Sequence, residues 1–537
     1  MIYSSFFLFY HAWFYAHPHI IGTGVDMYSK INTAILEGIK TRPIMVEVDI
    51  SNGMPTFEMV GQLSTEVREG KERIRTALHS IGVILPAKRI TINLSPANIR
   101  KSGTGFDLPI AIAILQSIGL ISEESCKNRM FVGELGLNGQ ILPVNGVLPI
   151  VSDGIDAGVF EFIIPKENEN EGRLVKQAKV FSFSHLNDVI LFLNGKKYVE
   201  SPMEEKVVRE AIIQKDFSEV CGQQFLKRAC EVAAAGLHAL LLVGPPGAGK
   251  TMLAERLPSI LPPMSEEEQL ELSKIYSVCG LLKNNKSLME QRPFRAPHHT
   301  ISVPGLTGGG SIPKPGEISL AHNGVLFLDE LPEFQKSTME ILRQPLEDHE
   351  IRLVRSRMSV TYPANFLLLA AMNPCNCGYY PDMNRCRCSP ASLQRYMDRI
   401  SQPLLDRIDI CVEAPSLSFG DIHPKKKKKE EESKEIQKRV LECHQIQCER
   451  YQNEVFSHNS HIPAVALEEY CYLGKREVDY MESIYEKMSL TARTYHKILR
   501  VARTIADLEG KKQIEITHLM EAVCYRNFDS KFWGGQE

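Results

Sequence analysis

The chain has 537 residues, of which 43% are hydrophobic and 24% are charged, and these values exclude a mainly disordered or fibrous protein. Lysine and arginine number 62 against 65 aspartates and glutamates, so nucleic-acid binding would require a local basic patch. The thirteen cysteines are mostly scattered singly, which is typical of a reducing compartment, and we expect a cytoplasmic protein.

Residues 1–27 are rich in aromatic side chains and precede the first regular pattern. Their apolar run is shorter than the roughly 20 residues that a membrane-spanning helix needs, and His11, His17 and His19 interrupt it. No lysine or arginine precedes the run, so the basic start of a secretory signal is missing. We interpret the segment as a non-native or disordered extension, with Met27 as the true initiating methionine. We expect no membrane partner, and the alternative is that the segment is a weak membrane anchor.

The rest of the chain divides by its pattern into five parts. Residues 28–193 alternate short β-branched and helical runs, as α/β and α+β domains do, and the polar residues 194–212 predict a linker. Residues 213–418 carry apolar strand-like runs between helical stretches, which indicates a parallel nucleotide-binding sheet. We interpret the opposed charges of residues 419–434 as a solvated connector rather than a nucleic-acid hook, and residues 435–537 predict a helical domain.

A phosphate-binding motif, LLLVGPPGAGKT, follows a predicted strand and precedes a predicted helix. Its glycines let backbone N–H groups turn inward around phosphate oxygens, and the helix N-terminus faces the anion. Lys250 can reach the β- and γ-phosphates, and Thr251 can offer its hydroxyl to Mg²⁺. The predicted ATP-binding residues of the motif are Gly244, Pro245, Pro246, Gly247, Ala248, Gly249, Lys250 and Thr251.

Two further strands are predicted to end at the same site. VLFLDE ends in Asp329, which can hold Mg²⁺, and in Glu330, which can polarise the attacking water. FLLLAAMNP ends at Asn373, whose amide can orient that water near the γ-phosphate. An acidic strand end is common without catalysis, but downstream of a phosphate loop it predicts an ATPase.

Two segments between the phosphate-binding motif and Asn373 have alternative interpretations. The Gly/Pro-rich RPFRAPHHTISVPGLTGGG carries His298 and His299, which either line a pore or satisfy buried backbone groups. HEIRLVRSRMSVTYPANF predicts a β-hairpin centred on residues 356–358. Arg355 and Arg357 lie at its tip and either meet nucleic-acid phosphates or are ordinary solvated arginines.

A cysteine cluster follows Asn373 directly. Cys375, Cys377, Cys386 and Cys388 form the pattern C-x-C-x₈-C-x-C within loop 375–388. Four thiolates so close in sequence can close a tetrahedron around Zn²⁺, although the two-residue spacing of zinc knuckles is absent. The pattern predicts a zinc site that stiffens the region carrying Asn373.

Several of these segments resemble the magnesium-chelatase-like AAA+ ATPases of the ComM/YifB family. The resemblance covers residues 28–528 and is carried by DFSEVCGQ, GPPGAGKTMLAERLPSILPP, RPFRAPHHT, GEISLAHNGVLFLDELPEF, AAMNPCNCGYY and PLLDRIDI. It implies an α/β fold with an AAA+ P-loop core and a C-terminal all-α lid. It also implies a homo-hexameric motor that acts on branched or single-stranded DNA, in branch migration during recombination and natural transformation. The rival function is a magnesium-chelatase-type motor that remodels a protein partner.

The same resemblance implies roles for arginines that are otherwise ordinary surface residues. Arg407 in PLLDRIDI corresponds to the arginine that completes a neighbouring subunit's site, with Arg399 as the second choice, and Arg493 corresponds to a cis arginine on the γ-phosphate. In the related MCM helicases a hairpin projects into the ring's channel, where Arg355 and Arg357 would meet DNA phosphates.

The N-terminal region resembles a different enzyme, the proteolytic domain of Lon, through LSPANIRKSGTGFDLPIAIAIL and FVGELGLNGQILPVNGVLPIVSDGIDAGVFEFIIPKEN. The position of the Lon nucleophile falls on Gly105, and that of the Lon lysine falls on Leu148. Neither residue can attack a peptide bond or accept a proton. We therefore expect an N-terminal Lon-protease-like α+β domain without a catalytic dyad, with a structural or partner-binding role.

Overall fold

The computed structural model describes residues 27–198, 215–282, 287–310, 313–355, 358–416 and 430–526. These residues fall into two compact units, unit 1 before residue 204 and unit 2 from residue 204 onward. Most of the N-terminal extension, most of the predicted linker, the lysine run Lys425–Lys429 and Arg357 lie outside the described residues. Among the residues that are described, no helix has both the length and the apolar character that crossing a bilayer requires.

Unit 1 is built on a seven-stranded mixed sheet in the spatial order β3–β4–β2–β1–β5–β8–β9, with a separate two-stranded sheet β6–β7. The strands β1, β2 and β4 pair antiparallel, whereas β5, β8 and β9 run parallel to β1. The strands are β1 (Tyr28–Glu37), β2 (Lys40–Ser51), β3 (Thr56–Val60), β4 (Arg89–Ser95), β5 (Arg129–Phe131), β6 (Glu134–Leu135), β7 (Ile141–Leu142), β8 (Glu161–Pro165) and β9 (Lys179–Phe183). The helices are α1 (Thr65–Ser80), α2 (Asp107–Ser117), α3 (Glu123–Cys126), α4 (Val147–Asp156), α5 (Glu169–Gly172) and α6 (Leu186–Leu193).

The core of unit 1 follows from the two-residue alternation of its strands. In β2 the side chains of Ile44, Val46, Val48 and Ile50 are all buried, and the residues between them are not. Because successive side chains in a strand point to opposite faces, this alternation gives the sheet one apolar face. The almost entirely buried helix α2 contributes to the same core.

Unit 2 contains a five-stranded sheet in the spatial order β11–β14–β17–β10–β18, and every pairing in it is parallel. This confirms the predicted parallel sheet. Its middle strands are continuous apolar runs because both faces of the sheet are covered. The strands of unit 2 are β10 (Leu240–Val243), β11 (Phe294–Arg295), β12 (Gly308–Gly309), β13 (Lys314–Pro315), β14 (Val325–Leu328), β15 (Glu350–Arg355), β16 (Met358–Pro363), β17 (Leu367–Met372) and β18 (Ile410–Glu413).

The helices of unit 2 surround this sheet and continue into the C-terminal region. They are α7 (Gln224–Gly236), α8 (Lys250–Ala254), α9 (Glu266–Val278), α10 (Val303–Thr307), α11 (Glu317–Leu320), α12 (Lys336–Ile341), α13 (Pro345–Asp348), α14 (Pro390–Met397), α15 (Gln402–Leu405), α16 (Ser433–Arg450), α17 (Leu467–Tyr470), α18 (Lys475–Lys487), α19 (Ala492–Leu508) and α20 (Ile516–Cys524). Side chains of α16, α19 and α20 share one hydrophobic core with the parallel sheet. The helical C-terminal region therefore shares one core with the parallel sheet, and α16 and α19 contact α7.

The predicted β-hairpin is also present. Strands β15 and β16 pair antiparallel, with Arg355 opposite Met358 at the closed end. Val354 and Arg355 near this end are exposed, whereas Ile351 and Leu353 of the same strand are buried.

A buried polar network joins the sheet to helix α19. His238 lies 3.2 Å from an Asp409 carboxylate oxygen through Nδ1 and 2.8 Å from Thr504 Oγ1 through Nε2. Lys497 Nζ donates to the Ile408 carbonyl at 2.8 Å and lies 3.5 Å from the other Asp409 oxygen. Burial would raise the pKa of Asp409, but Lys497 and His238 hold that pKa well below its ordinary value.

We predict that Asp409→Asn lowers the free energy of unfolding by about 3 kcal/mol, because Lys497 loses its buried counter-charge. Burial lowers the pKa of Lys497 to about 8, so proton release from this lysine relieves part of the cost. Urea denaturation of the full chain at pH 7 measures the change. The double variant Asp409→Asn/Lys497→Met is expected to recover stability relative to Asp409→Asn, and a further loss would contradict this account.

Candidate functional site

The phosphate loop lies between the end of β10 and the start of α8. Gly247 and Gly249 have φ values of +79° and +82°, in the left-handed region that residues with a Cβ rarely adopt. A Cβ on Gly244 would lie 2.4 Å from the Ala414 carbonyl oxygen, so only glycine allows the end of β18 to pack there. The three glycines of the motif are thus required by local geometry.

Lys250 is held among oxygen acceptors at the base of this loop. Its Nζ donates to the carbonyls of Gly244 at 2.6 Å and Pro245 at 3.0 Å, and to Asn373 Oδ1 at 3.2 Å. Burial lowers the pKa of Lys250, and the charge of Asp329 opposes that shift. Phosphate oxygens of a nucleotide are acceptors of the same kind, so they can take over these hydrogen bonds.

Thr251 and Asp329 form the second part of the site. The Thr251 hydroxyl donates to Asp329 Oδ2 at 2.8 Å, and the backbone N–H of Glu330 donates to Asp329 Oδ1 at 2.9 Å. A hydroxyl and a carboxylate in contact at the end of a phosphate loop are the ligand types that hold Mg²⁺ beside a nucleotide. The residues present therefore fit a magnesium ion.

The sheet topology explains why residues so far apart in sequence meet. Strand β17 pairs with β10 on one side and with β14 on the other, both in parallel. Parallel neighbours place their carboxyl ends at one edge, where open α/β sheets bind ligands. Asn373 therefore lies between the phosphate loop and the Asp329–Glu330 pair.

The Glu330 side chain is open to this edge, with 58% of its surface exposed. Its backbone has φ +53°, a conformation that non-glycine residues adopt mainly at functional sites and turns. His299 Nδ1 lies 3.5 Å from Glu330 Oε2, and the His299 ring also contacts His298 and Phe334. His299 thus contacts the carboxylate that we expect to activate water, which neither interpretation of the histidine pair included.

Tyr396, which no sequence pattern indicated, also contacts the site. Its hydroxyl donates to the Asn373 carbonyl at 3.1 Å, and it therefore positions the strand end that carries the Asn373 amide. Tyr396 is buried in helix α14. An isolated tyrosine in a helix has no pattern that would indicate this contact.

The three arginines implied by resemblance are each bound within the chain. Arg407 donates to the carbonyls of Arg343 and Pro403 and pairs with Glu347 at 2.6 Å, and only 11% of its side chain is exposed. Arg399 pairs with Glu333 at 2.5 Å.

Arg493 lies in the first turn of α19 and pairs with Asp406 at 3.3 Å. Its side chain is 55% exposed. Arg407, Arg399 and Arg493 thus pair with carboxylates that lie outside the phosphate loop.

The remaining predicted residues lie at three other places. Arg355 is exposed at the hairpin tip, and its partner Arg357 is outside the described residues. In unit 1, Leu148 is fully buried and its N–H donates to Glu171 at 2.9 Å, so neither it nor Gly105 presents a nucleophile or a base. The structure brings the four predicted zinc ligands together, with their Sγ atoms all within 4.8 Å of one another.

Comparisons with known families match most of the chain. Residues 216–422 match the family described as "Magnesium chelatase, subunit ChlI". Residues 46–168 match "Subunit ChlI of Mg-chelatase", and residues 430–526 match "Magnesium chelatase, subunit ChlI C-terminal".

Individual relatives agree with these family matches. "Competence protein ComM" of Haemophilus influenzae is 43% identical over 497 residues, which are 91% of this chain and 95% of that protein. "Uncharacterized protein YifB" of Salmonella typhimurium is 42% identical over 499 residues, 93% of this chain and 97% of that protein. The "Magnesium-chelatase 38 kDa subunit" of Rhodobacter capsulatus is 22% identical over 176 residues, 29% of this chain and 50% of that subunit.

We predict that Glu330→Gln keeps ATP binding but lowers the rate of hydrolysis by about 100-fold or more, because an amide cannot accept a proton from water. Phosphate release measures the rate, and titration with a fluorescent ATP analogue measures the affinity. Glu267→Gln, which makes the same change on an exposed helix turn, is the control. Hydrolysis at the wild-type rate in Glu330→Gln would show that another group activates the water.

Proposed function

The chain belongs to the magnesium-chelatase-like AAA+ family that includes ComM and YifB, and from this membership we propose that it is an ATP-driven DNA motor. Its action is branch migration in homologous recombination and natural transformation, in keeping with the competence named for its Haemophilus relative. Family membership itself implies the use of ATP and Mg²⁺. The observation that carries the proposal is the meeting of Lys250, Thr251, Asp329, Glu330 and Asn373 at one sheet edge.

We assign the steps of hydrolysis to these side chains. Lys250 exchanges its carbonyl partners for phosphate oxygens. Arg493 binds the γ-phosphate of the ATP that is bound to its own subunit. Thr251 and Asp329 hold Mg²⁺, which when bound neutralises the charge that develops on the transferred phosphoryl group.

Water activation completes the reaction at the same edge. Glu330 accepts the proton of the attacking water, and Asn373 orients that water. The hydrogen bond from Lys250 Nζ to Asn373 Oδ1 supports this assignment, because it places the Asn373 amide beside the lysine that binds the phosphates.

We propose that the active form is a homo-hexamer in which Arg407 completes the site of the neighbouring subunit. An arginine supplied in trans makes hydrolysis depend on assembly. Arg407 would have to exchange its bonds to Glu347 and to the carbonyls of Arg343 and Pro403 for the neighbour's phosphate. Arg399, which pairs with Glu333, is the second choice for this role.

We propose that DNA contacts the motor at the hairpin of β15 and β16. Arg355 is exposed at the tip, and Arg357 follows it in sequence, so each subunit would offer two cations to the phosphate backbone. A ring of subunits brings these arginines together, so positive charge is concentrated at one place although each chain has a net charge of −3. The local basic patch that the composition requires is then supplied by assembly.

Three further assignments complete the proposal. Unit 1 keeps a Lon-type fold without peptidase activity, because Gly105 and the buried Leu148 provide no dyad. The cysteine loop 375–388 binds Zn²⁺. The thirteen cysteines are mostly scattered singly along the sequence, which supports action in the reducing cytoplasm.

We predict that Arg355→Ala lowers the ratio of ATPase rates with and without single-stranded or four-way DNA. Each lost phosphate contact should also reduce the slope of log affinity against log salt by about 0.7–0.9. Arg352→Ala is the matched control, because Arg352 is exposed on the same strand but pairs with Glu350. A wild-type chain whose ATPase ignores every DNA tested would favour the rival, a motor that remodels a protein partner.

We predict that Arg407→Ala and Glu330→Gln are each inactive alone but regain ATPase activity when mixed. An intact Arg407 from a Glu330→Gln subunit then completes the site of an Arg407→Ala subunit, whose own Glu330 is present. Phosphate release after mixing the purified variants measures the recovery, and thermal melting shows whether the loss of the Glu347 pair unfolds the chain. Two folded variants that show no activity in any mixture would contradict an arginine acting in trans.

A further inference from the structure

The four cysteines of loop 375–388 have the geometry of a closed metal site. The Sγ atoms of Cys375 and Cys377 are 3.3 Å apart, those of Cys375 and Cys386 3.8 Å, and those of Cys377 and Cys386 3.5 Å. Zinc–sulfur bonds of about 2.3 Å place the sulfur atoms of a tetrahedron about 3.8 Å apart. With Cys388 included, all four sulfur atoms lie within 4.8 Å of one another, so little movement is needed to surround one ion.

The chain around these sulfur atoms suits thiolate ligands. Cys375 and Cys386 are buried, and the backbone N–H of Tyr380 points at Cys375 Sγ from 3.4 Å. Amide hydrogens directed at sulfur stabilise the charged form that binds metal. Four thiolates gathered within 4.8 Å are a ligand set of structural Zn²⁺ sites.

The loop contacts the phosphate-binding loop directly. Gly378 has φ +83°, and a Cβ placed on it would lie 2.6 Å from Pro246 Cδ. Pro246 lies at the centre of the phosphate loop, between Gly244 and Gly249. Such close packing of Gly378 against Pro246 means that a displacement of the cysteine loop changes the shape of the phosphate loop.

The same loop is connected to Asn373 from both of its ends. Cys375 follows Asn373 by two residues, so the first ligand limits where the Asn373 amide can lie. At the other end, Cys388 lies two residues before helix α14, whose Tyr396 hydroxyl donates to the Asn373 carbonyl at 3.1 Å. Asn376 Nδ2 donates to Ser392 in the first turn of that helix at 3.3 Å, which closes the connection.

We propose that Zn²⁺ bound by Cys375, Cys377, Cys386 and Cys388 acts as a clamp on the nucleotide site. The ion holds the loop so that Gly378 supports Pro246 and Cys375 positions Asn373. The four cysteines are positioning residues, and they act on ATP only through these two contacts. This inference rests on the proposed ATP hydrolysis but not on the proposed action on DNA.

The test uses the purified full chain without DNA. We expect one zinc per chain by metal analysis in the wild type, and loss of that zinc in Cys388→Ser. The clamp acts on both the phosphate loop and the Asn373 amide, so zinc loss should raise KM for ATP and lower kcat. We expect kcat/KM to fall by up to about 100-fold. Cys279→Ser, which alters a half-buried thiol outside the cluster, should keep both the zinc and the rate.

Two further measurements separate positioning from folding. Removal of zinc from the wild type with a selective chelator, followed by its return, should lower and then restore both the rate and the affinity for a fluorescent ATP analogue. Pro246→Ala should keep one zinc per chain and raise KM, because it removes the ring carbon that lies against Gly378.

Three outcomes would overturn the inference. The wild-type chain takes up no zinc, or a folded zinc-free chain has unchanged kinetics and nucleotide affinity. The third is that returning zinc to the chelated chain restores neither the rate nor the nucleotide affinity. Failure of DNA to stimulate the wild-type ATPase would instead contradict the proposed motor and leave this inference standing.

Discussion

The nucleotide site of unit 2 depends on the parallel pairing of β14, β17 and β10. Each strand ends in a different chemical group, and parallel alignment is what delivers these groups to one edge of the sheet. A register shift of one residue would move Asn373 by about 3.3 Å along the strand direction, away from Lys250. The apolar residues that bury these strands therefore also position the polar residues at the strand ends.

Much of this arrangement was predictable because its signals are local. The phosphate loop is defined by glycines whose backbone angles only glycine adopts readily, and the hairpin by alternation within a dozen residues. The acidic pair at Asp329 is marked by the apolar strand before it. Such features depend on the chemistry of neighbouring residues, which a single sequence contains.

What could not be predicted are contacts between distant positions that carry no pattern of their own. Three contacts are of this kind: His299 with Glu330, Tyr396 with Asn373, and Gly378 with Pro246. No sequence pattern links the two residues of any of these pairs. Arg407 was recognised by resemblance, but its bonds within the chain depend on Glu347 and on two carbonyl groups that any sequence would offer. Tertiary packing decides these contacts, and their outcome is visible only in the folded chain.

The buried bond between Lys497 and the segment before β18 has a mechanical consequence. Lys497 is anchored to the Ile408 carbonyl, and β18 begins at Ile410 beside the strand of the phosphate loop. From Lys497 to Asp507 the helix is almost continuously buried, so this part of it is fixed to the core. Arg493 lies one turn, roughly 6 Å, before Lys497, so a single turn of helix sets how far its guanidinium can reach from the sheet.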